Sequence, residues 1–421
     1  MPTWRKAFAA STSGSPPEAA GPARPARIVG RVTSPAFDFD SVSLDWLRAK
    51  PGAKWRRTPG ALAAWVADMD FAPPPVVVDA LQRAATGGDL GYPDWRHITG
   101  GSPATDAFVE RCARRYGWHI DEADTMELND VVQGIQIVLH LCTQPGDRVV
   151  VHTPAYPPFL HSVHDSGREV LAVPAARSAD SPTGWAFDHD ALDAQLNSTP
   201  AKVLLLCHPH NPTGHVFSEA ELRSLAAIAE RHRLLIISDE IHADLTYAPA
   251  VHLPIALFAP QRTVTIHAAS KAFNLAGLRY AIMHIGAAEV RSAIAQVPGH
   301  LFGAANLMGA VAAEAAWREG DEWLAAVLAH LDRQRTLLTS LLAEHMPSVG
   351  YSPPAATYLA WLDCRSLSWG DDPSVQFLER GVRLSEGPNF GDEGNGCARL
   401  NFATSSALLR EMVARMGTPA G

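Results

Sequence analysis

Three short segments carry side chains that can act on one small molecule. They are Ala268-Ala-Ser-Lys-Ala-Phe-Asn-Leu-Ala-Gly-Leu-Arg279, Ser238-Asp-Glu-Ile-His242 and His210-Asn-Pro-Thr-Gly214. Each follows a strand-like run, so together they offer an amine, a carboxylate and an amide at neighbouring strand ends. A lysine amine attacks an aldehyde once it has lost its proton, which desolvation or a cationic neighbour such as Arg279 promotes. Asp239 is suited to pair with a protonated pyridine nitrogen and keep that ring cationic. Asn211, aimed by the turn residues Pro212 and Gly214, is suited to donate to a phenolic oxygen. His242 has two readings, the same phenolic oxygen or a structural hydrogen bond. An amine, an anion and a donor in this order suit a pyridine aldehyde held as a Schiff base of Lys271, which is how pyridoxal phosphate works as an electron sink.

A phosphate on that cofactor needs further donors. Gly134 and Ile135 are expected to open a helix whose free amides and dipole favour an anion. Ser270 can add a hydroxyl and Arg279 a guanidinium fork. Tyr156, in Thr-Pro-Ala-Tyr-Pro-Pro-Phe, is placed to stack on a ring. Arg399, in Ala-Arg-Leu-Asn-Phe-Ala, suits a substrate carboxylate, with a structural salt bridge as its other reading. Among the eighteen histidines, His161 with His164 and His208 with His210 lack a zinc-type spacing with a third ligand, so no metal is expected. No nucleophile elbow supports Ser-His-Asp chemistry.

The elements that must position these groups are legible as an alternation. Val131–Val132 leads into Gln-Gly-Ile-Gln and an apolar helical stretch to Cys142. Arg148–His152, Lys202–Cys207, Leu234–Ser238 and Arg262–His267 read as strands. Ser218, with Glu221 three residues on, predicts a capped helix. Strands spaced by helices predict a parallel sheet with helices on both faces, and ligands at the carboxyl ends of its strands. Glu322–Met346 has helical apolar spacing, and Tyr358–Leu362, Gly381–Leu384 and Arg399–Phe402 are strand-like. The expected organisation is a disordered tail over 1–34, an arm and part of a small domain over 35–85, a large cofactor-binding domain over 86–315 and a small α+β domain over 316–421.

With 421 residues, 47% hydrophobic and 19% charged, the chain has an ordinary globular composition. A net charge of -9 gives nucleic-acid binding no support. No apolar run is long enough for a bilayer. Five cysteines, an odd number with no CxxC pair, argue for a reducing cytoplasm.

In combination these segments resemble the fold-type I pyridoxal phosphate enzymes of the class I/II aminotransferase superfamily. More narrowly they are similar to its MalY/PatB branch of cystathionine or cysteine-S-conjugate β-lyases. The narrow likeness rests on Trp65-Val-Ala-Asp-Met-Asp-Phe71, Gly91-Tyr-Pro93, Thr153-Pro-Ala-Tyr-Pro-Pro-Phe159, Pro209-His-Asn-Pro-Thr-Gly214 and Ser238-Asp-Glu-Ile-His-Ala-Asp-Leu245. Ser270–Leu278, Thr357-Tyr-Leu-Ala-Trp-Leu-Asp-Cys364 and Arg399-Leu-Asn-Phe-Ala403 complete it, so it spans roughly 35–415. The resemblance implies a mostly parallel seven-stranded-type sheet sandwiched by helices, with a smaller α+β domain. It implies Lys271 as the Schiff-base lysine, Asp239 at the pyridine nitrogen, Asn211 at the phenolic oxygen, Tyr156 on the ring and Arg399 on the substrate carboxylate. Tyr92 would reach the phosphate of a neighbouring subunit, which implies a homodimer with shared sites, and Ala67 and Asp68 would lie near the substrate. Three departures stand out: Ala268 where relatives place a phosphate-binding serine, His208 where asparagine is common, and Pro388-Asn389-Phe390 with Arg383 and Glu386 at the expected substrate mouth. The last makes Asn389 a candidate substrate contact.

The activity expected is β-elimination from a sulfur-substituted cysteine to thiol, pyruvate and ammonia, within specialised metabolism. An aminotransferase, or decarboxylation coupled to oxidative deamination of an S-conjugated cysteine, would use the same residues. A purely regulatory binding role is a reading of another class, and the chain shows no separate DNA-binding module for it.

Overall fold

A computed structural model of the protein describes residues 37–93, 102–298 and 300–418; the expected 1–34 tail lies outside them. The strands that build the site are wholly buried apolar runs. β3 (Arg148–Thr153), β6 (Val203–Cys207), β7 (Leu235–Asp239) and β8 (Thr263–His267) are rich in Val, Leu and Ile, and all but Arg148 are buried. Strands covered on both faces carry such continuous runs, and β-branched side chains favour the extended backbone.

In chain order the other strands are β1 (Leu62–Ala63), β2 (Thr125–Leu128), β4 (Glu169–Arg177), β5 (Trp185–Phe187), β9 (Ala281–Ile285), β10 (Leu359–Asp363), β11 (Val382–Arg383), β12 (Ser385–Glu386) and β13 (Cys397–Asn401). The main sheet runs β2-β9-β8-β7-β6-β3-β4-β5, and the pairs between β8 and β4 are parallel. It has eight strands because β5 adds an antiparallel edge to β4. Helices Val131–Cys142 and Pro157–Asp165 pack against one apolar cluster of the sheet, and Glu219–His232 packs against another. The helix Glu219–His232 starts as its sequence predicts, with Ser218 and Glu221 exchanging both capping-box hydrogen bonds.

A second, three-stranded sheet has the order β10-β13-β12. β1 pairs in parallel with β11, so the N-terminal arm joins the C-terminal third. The long helix Asp321–His345 packs with Ser406–Gly417 beside them. No helix among the described residues is long and apolar enough to cross a membrane.

One glycine shows how tightly the turn after β6 approaches the segment before β10. Gly214, at φ 68°, lies where a Cβ would fall 2.1 Å from the Pro354 Cβ. Gly214→Ala is therefore expected to cost about 3 kcal/mol through left-handed strain and overpacking together. Urea unfolding of the variant beside the parent chain measures this directly.

Candidate active site

The carboxyl ends of the parallel strands deliver the predicted groups to one cavity. Asp239 ends β7, Asn211 follows β6, Lys271 follows β8, and Tyr156 follows β3 as the residue before helix Pro157–Asp165. These four, with Ala67, His242, Ser270 and Arg279, line the same pocket. A more open groove bounded by Phe37, Phe39, Trp46 and Trp323 holds no comparable set.

Burial sets the electrostatics. The Asp239 carboxyl is pushed up to about 7, chiefly because it is removed from water. Its Oδ1 accepts the Ile241 amide at 3.0 Å, and among the described residues it forms no salt bridge. It is thus a buried acid that a cation in the cavity would complete. The Lys271 amine is lowered by burial first and by Arg399 as well, against the opposing pull of Asp68 and Asp239. A larger share of it is therefore the nucleophilic free base. The His242 imidazole is held near 3 by burial, and its Nδ1 is buried without a hydrogen-bond partner.

Arg399, in the middle of β13, is buried. Its Nη1 donates to Asn211 Oδ1 at 3.0 Å, and its Nη2 donates to the Trp65 carbonyl at 3.0 Å and Ser385 Oγ at 3.1 Å. All three acceptors are neutral, Nε has no partner, and burial pulls the guanidinium down to about 10. The salt-bridge reading of this residue is therefore not what the described residues show: among them the cation lacks an anion, which a substrate carboxylate would supply. The same contact turns the Asn211 carbonyl oxygen toward Arg399 and leaves its amide nitrogen as the free donor.

The segment Trp65–Phe71 brings Ala67 to the pocket, and side chains hold each of its carbonyls. Trp65 O accepts from Arg399 and Ser385, Val66 O and Asp68 O from Asn401, and Ala67 O from Lys271 at 2.9 Å and Tyr358 at 2.8 Å. Met69 O and Phe71 O accept from Asn274, and Asp70 O from Lys50. A buried backbone without a partner strand needs such donors. They explain physically why Asn274, Arg399 and Asn401 accompany this segment.

Two expectations need correction. The helix after β2 starts at Val131, with Asp130 as its cap accepting the Gln133 amide. Gly134 and Ile135 lie beyond the first three positions, and the Gly134 amide already donates to Asp130 O. The first-turn residues that line the cavity are Val131 and Val132, whose amides have no acceptor inside the helix. A Cβ on Gly134 would lie 2.7 Å from Leu128 Cδ1, so this glycine serves helix–strand packing. Asn389 is exposed, donates to Glu386 at 3.0 Å and does not line the cavity. Its neighbour Phe390 is the inward residue, with the Arg399 guanidinium 5.0 Å from its ring centre. Tyr92 is fully exposed and stands apart from the pocket of its own chain. Arg279, at φ 54°, is ion-paired with Asp130 at the cavity edge.

A model of the aminotransferase class I and II family matches residues 66–416. The chain belongs to this family. Within it, the chain is 34% identical over 380 residues to a cystathionine beta-lyase of Corynebacterium glutamicum, covering 89% of this chain and 98% of that one. It is 31% identical to cystathionine beta-lyase PatB of Bacillus subtilis, covering 86% and 95%. The solved PLP-bound C-S lyase from Staphylococcus hominis superposes with a TM-score of 0.84 at 27% identity, covering 90% and 98%. The cavity of this family member fits a pyridoxal phosphate on its own chemistry: an uncompensated acid, an amine with lowered basicity, a free amide donor and unpaired helix amides.

Proposed function

We propose that the protein is a pyridoxal-phosphate-dependent carbon–sulfur β-lyase acting on cystathionine or cysteine S-conjugates and yielding thiol, pyruvate and ammonia. The observation that carries this reading is a cavity joining Lys271, Asp239 and Asn211, with Arg399 bonded to Asn211 from behind, on a chain matched over most of its length by cystathionine β-lyases. Bound there, pyridoxal phosphate supplies an electron sink for charge developing at the substrate Cα. Lys271 would hold its aldehyde carbon, Asp239 its ring nitrogen and Asn211 its phenolic oxygen. Tyr156 would lie on the ring and His242 nearby, with Val131, Val132, Ser270 and Arg279 at the phosphate.

Arg399 binds the substrate α-carboxylate with the hydrogen-bonding capacity its neutral partners leave unused. Ala67 lines the cavity and Asp68, next to it, would lie near the substrate. With its amine free, Lys271 would take the Cα proton on Nζ as general base. The Ala67 carbonyl, 2.9 Å from Nζ, accepts a hydrogen bond from the resulting ammonium. Sulfur then leaves Cβ with its bonding pair. A cationic ring nitrogen beside Asp239 would hold its carboxyl ionised against the burial that raises it.

In this reading residues 86–315 form the cofactor-binding body, and 35–85 with 316–421 form the smaller one. The working unit is a cytoplasmic homodimer, in which the exposed Tyr92 reaches a neighbouring subunit's phosphate. Five unpaired cysteines suit a reducing compartment.

The experiment is a panel of S-substituted cysteines, scored for free thiol and pyruvate with and without an α-keto acid. Thiol release without the keto acid is expected. Amino transfer that requires it would replace the lyase with an aminotransferase.

A further inference from the structure

We propose that Tyr358 is a positioning residue for Lys271: its phenol shares the Ala67 carbonyl with the lysine amine and so sets how strongly that carbonyl holds the amine. The inference rests on the reading above that Lys271 is the cofactor lysine. It goes beyond that reading by assigning a role to a tyrosine whose sequence setting, Thr-Tyr-Leu-Ala-Trp-Leu, suggests only a core aromatic.

The geometry is a three-way junction. Lys271 Nζ lies 2.9 Å and Tyr358 Oη 2.8 Å from the same oxygen. A carbonyl has two lone pairs, so these two donors saturate it. The oxygen cannot drift, because Asn401 holds the carbonyls on both sides of it, Val66 at 2.6 Å and Asp68 at 2.7 Å. The tyrosine is held as firmly. Thr357, just before it, has φ 72°, a left-handed conformation that a β-branched residue adopts only when its surroundings enforce it. The enforcement is visible: the Thr357 amide donates to Leu245 O at 3.0 Å, and its carbonyl accepts the Tyr247 hydroxyl at 2.6 Å. The phenol is fully buried and burial raises it well above its ordinary range, so it remains a donor at every working pH.

Donation from the phenol draws electron density from the Ala67 oxygen and weakens its hold on the lysine N–H. The ammonium form of Lys271 gains more from that acceptor than the amine does, so the phenol favours the free amine. The other charged and titratable groups facing the pair are Asp68, Asp239, Arg399 and His242 around the amine, and Asp68, Arg399, Tyr156 and Tyr247 around the phenol. They are unaltered when only the hydroxyl is removed.

The test strips the full-length protein of its cofactor and measures the rate of pyridoxal phosphate uptake against pH, whose midpoint reports deprotonation of the capturing amine. Tyr358→Phe is expected to raise that midpoint by about half a pH unit, the scale of one modest hydrogen bond. Fluorinated tyrosine incorporated at position 358 is a stronger donor, and it is expected to move the midpoint down. A packing role predicts no shift in either, since both keep the ring. Midpoints equal to the parent's in a variant with native circular dichroism overturn the proposal, and the fluorinated chain decides it alone if Tyr358→Phe does not fold. A parent chain that captures no aldehyde at Lys271 overturns the reading of the site itself, which is a different result from an unshifted midpoint.

Discussion

Lys271→Ala is expected to lower kcat/KM for any substrate by about 10⁴-fold or more and to remove the visible colour of the lysine-bound cofactor. Two losses combine. The variant has no amine in the cavity to link the cofactor, and it has no base at the position from which Nζ reaches the Cα proton. Positioned general bases contribute about 10²–10⁴-fold by themselves, and among the residues lining the pocket Lys271 is the sole amine. Lys271→Arg should not restore activity, because the guanidinium stays protonated near neutrality whereas burial lowers the lysine. A small primary amine added to the alanine variant should restore part of the turnover, with a pH dependence that follows the added amine. Stopped-flow rates and absorption spectra of the three proteins give the answer. Lyase turnover in Lys271→Ala close to that of the parent would remove this residue from both roles.

The strands that present these groups are legible in the sequence because their apolar runs are long and β-branched. β3, β6, β7 and β8 lie within one or two residues of their expected bounds, and the capping box at Ser218 forms as its spacing predicts. Asp239, Asn211 and Lys271 meet because strand ends meet, which is a property of the topology more than of the residues. What cannot be read are facts of tertiary packing. The helix after β2 starts three residues before Gly134 because Asp130 caps it. The Asp-x-x-Gln spacing is the local signal for that start, and it competes with a glycine that points three residues too late. Arg399 is ambiguous because a sequence does not reveal whether a carboxylate faces it. The fold surrounds it with neutral acceptors, a fact of tertiary packing. The role of Asn401 and the junction at Ala67 join residues more than 200 positions apart in the chain, Lys271 to Ala67 and Tyr358 to Ala67. No local pattern encodes them.

Asp239→Asn should separate the charge of this site from its shape. The amide is nearly isosteric, and its oxygen can still accept the Ile241 amide. What disappears is the negative charge that, on the proposed reading, would keep a bound pyridine nitrogen protonated, so kcat is expected to fall by roughly 10²–10³-fold, the scale seen when one preorganised electrostatic partner is removed, while KM changes much less. Stability should move the other way in the cofactor-free chain. Burial raises the Asp239 carboxyl from 3.8 to about 7, so the folded state favours the protonated acid. The stability this gives is complete below about pH 4 and is lost as pH rises through about 7. The substituted amide cannot ionise, so the variant gains on the parent across that window. The difference should grow from near zero at about pH 4 to a few kcal/mol at about pH 7, an order-of-magnitude figure from a shift of about three pH units, and then level off. Denaturant unfolding of both cofactor-free chains across this range measures it. A stability difference that does not change with pH, or a variant whose kcat matches the parent's, would mean that no anion is needed beneath the ring.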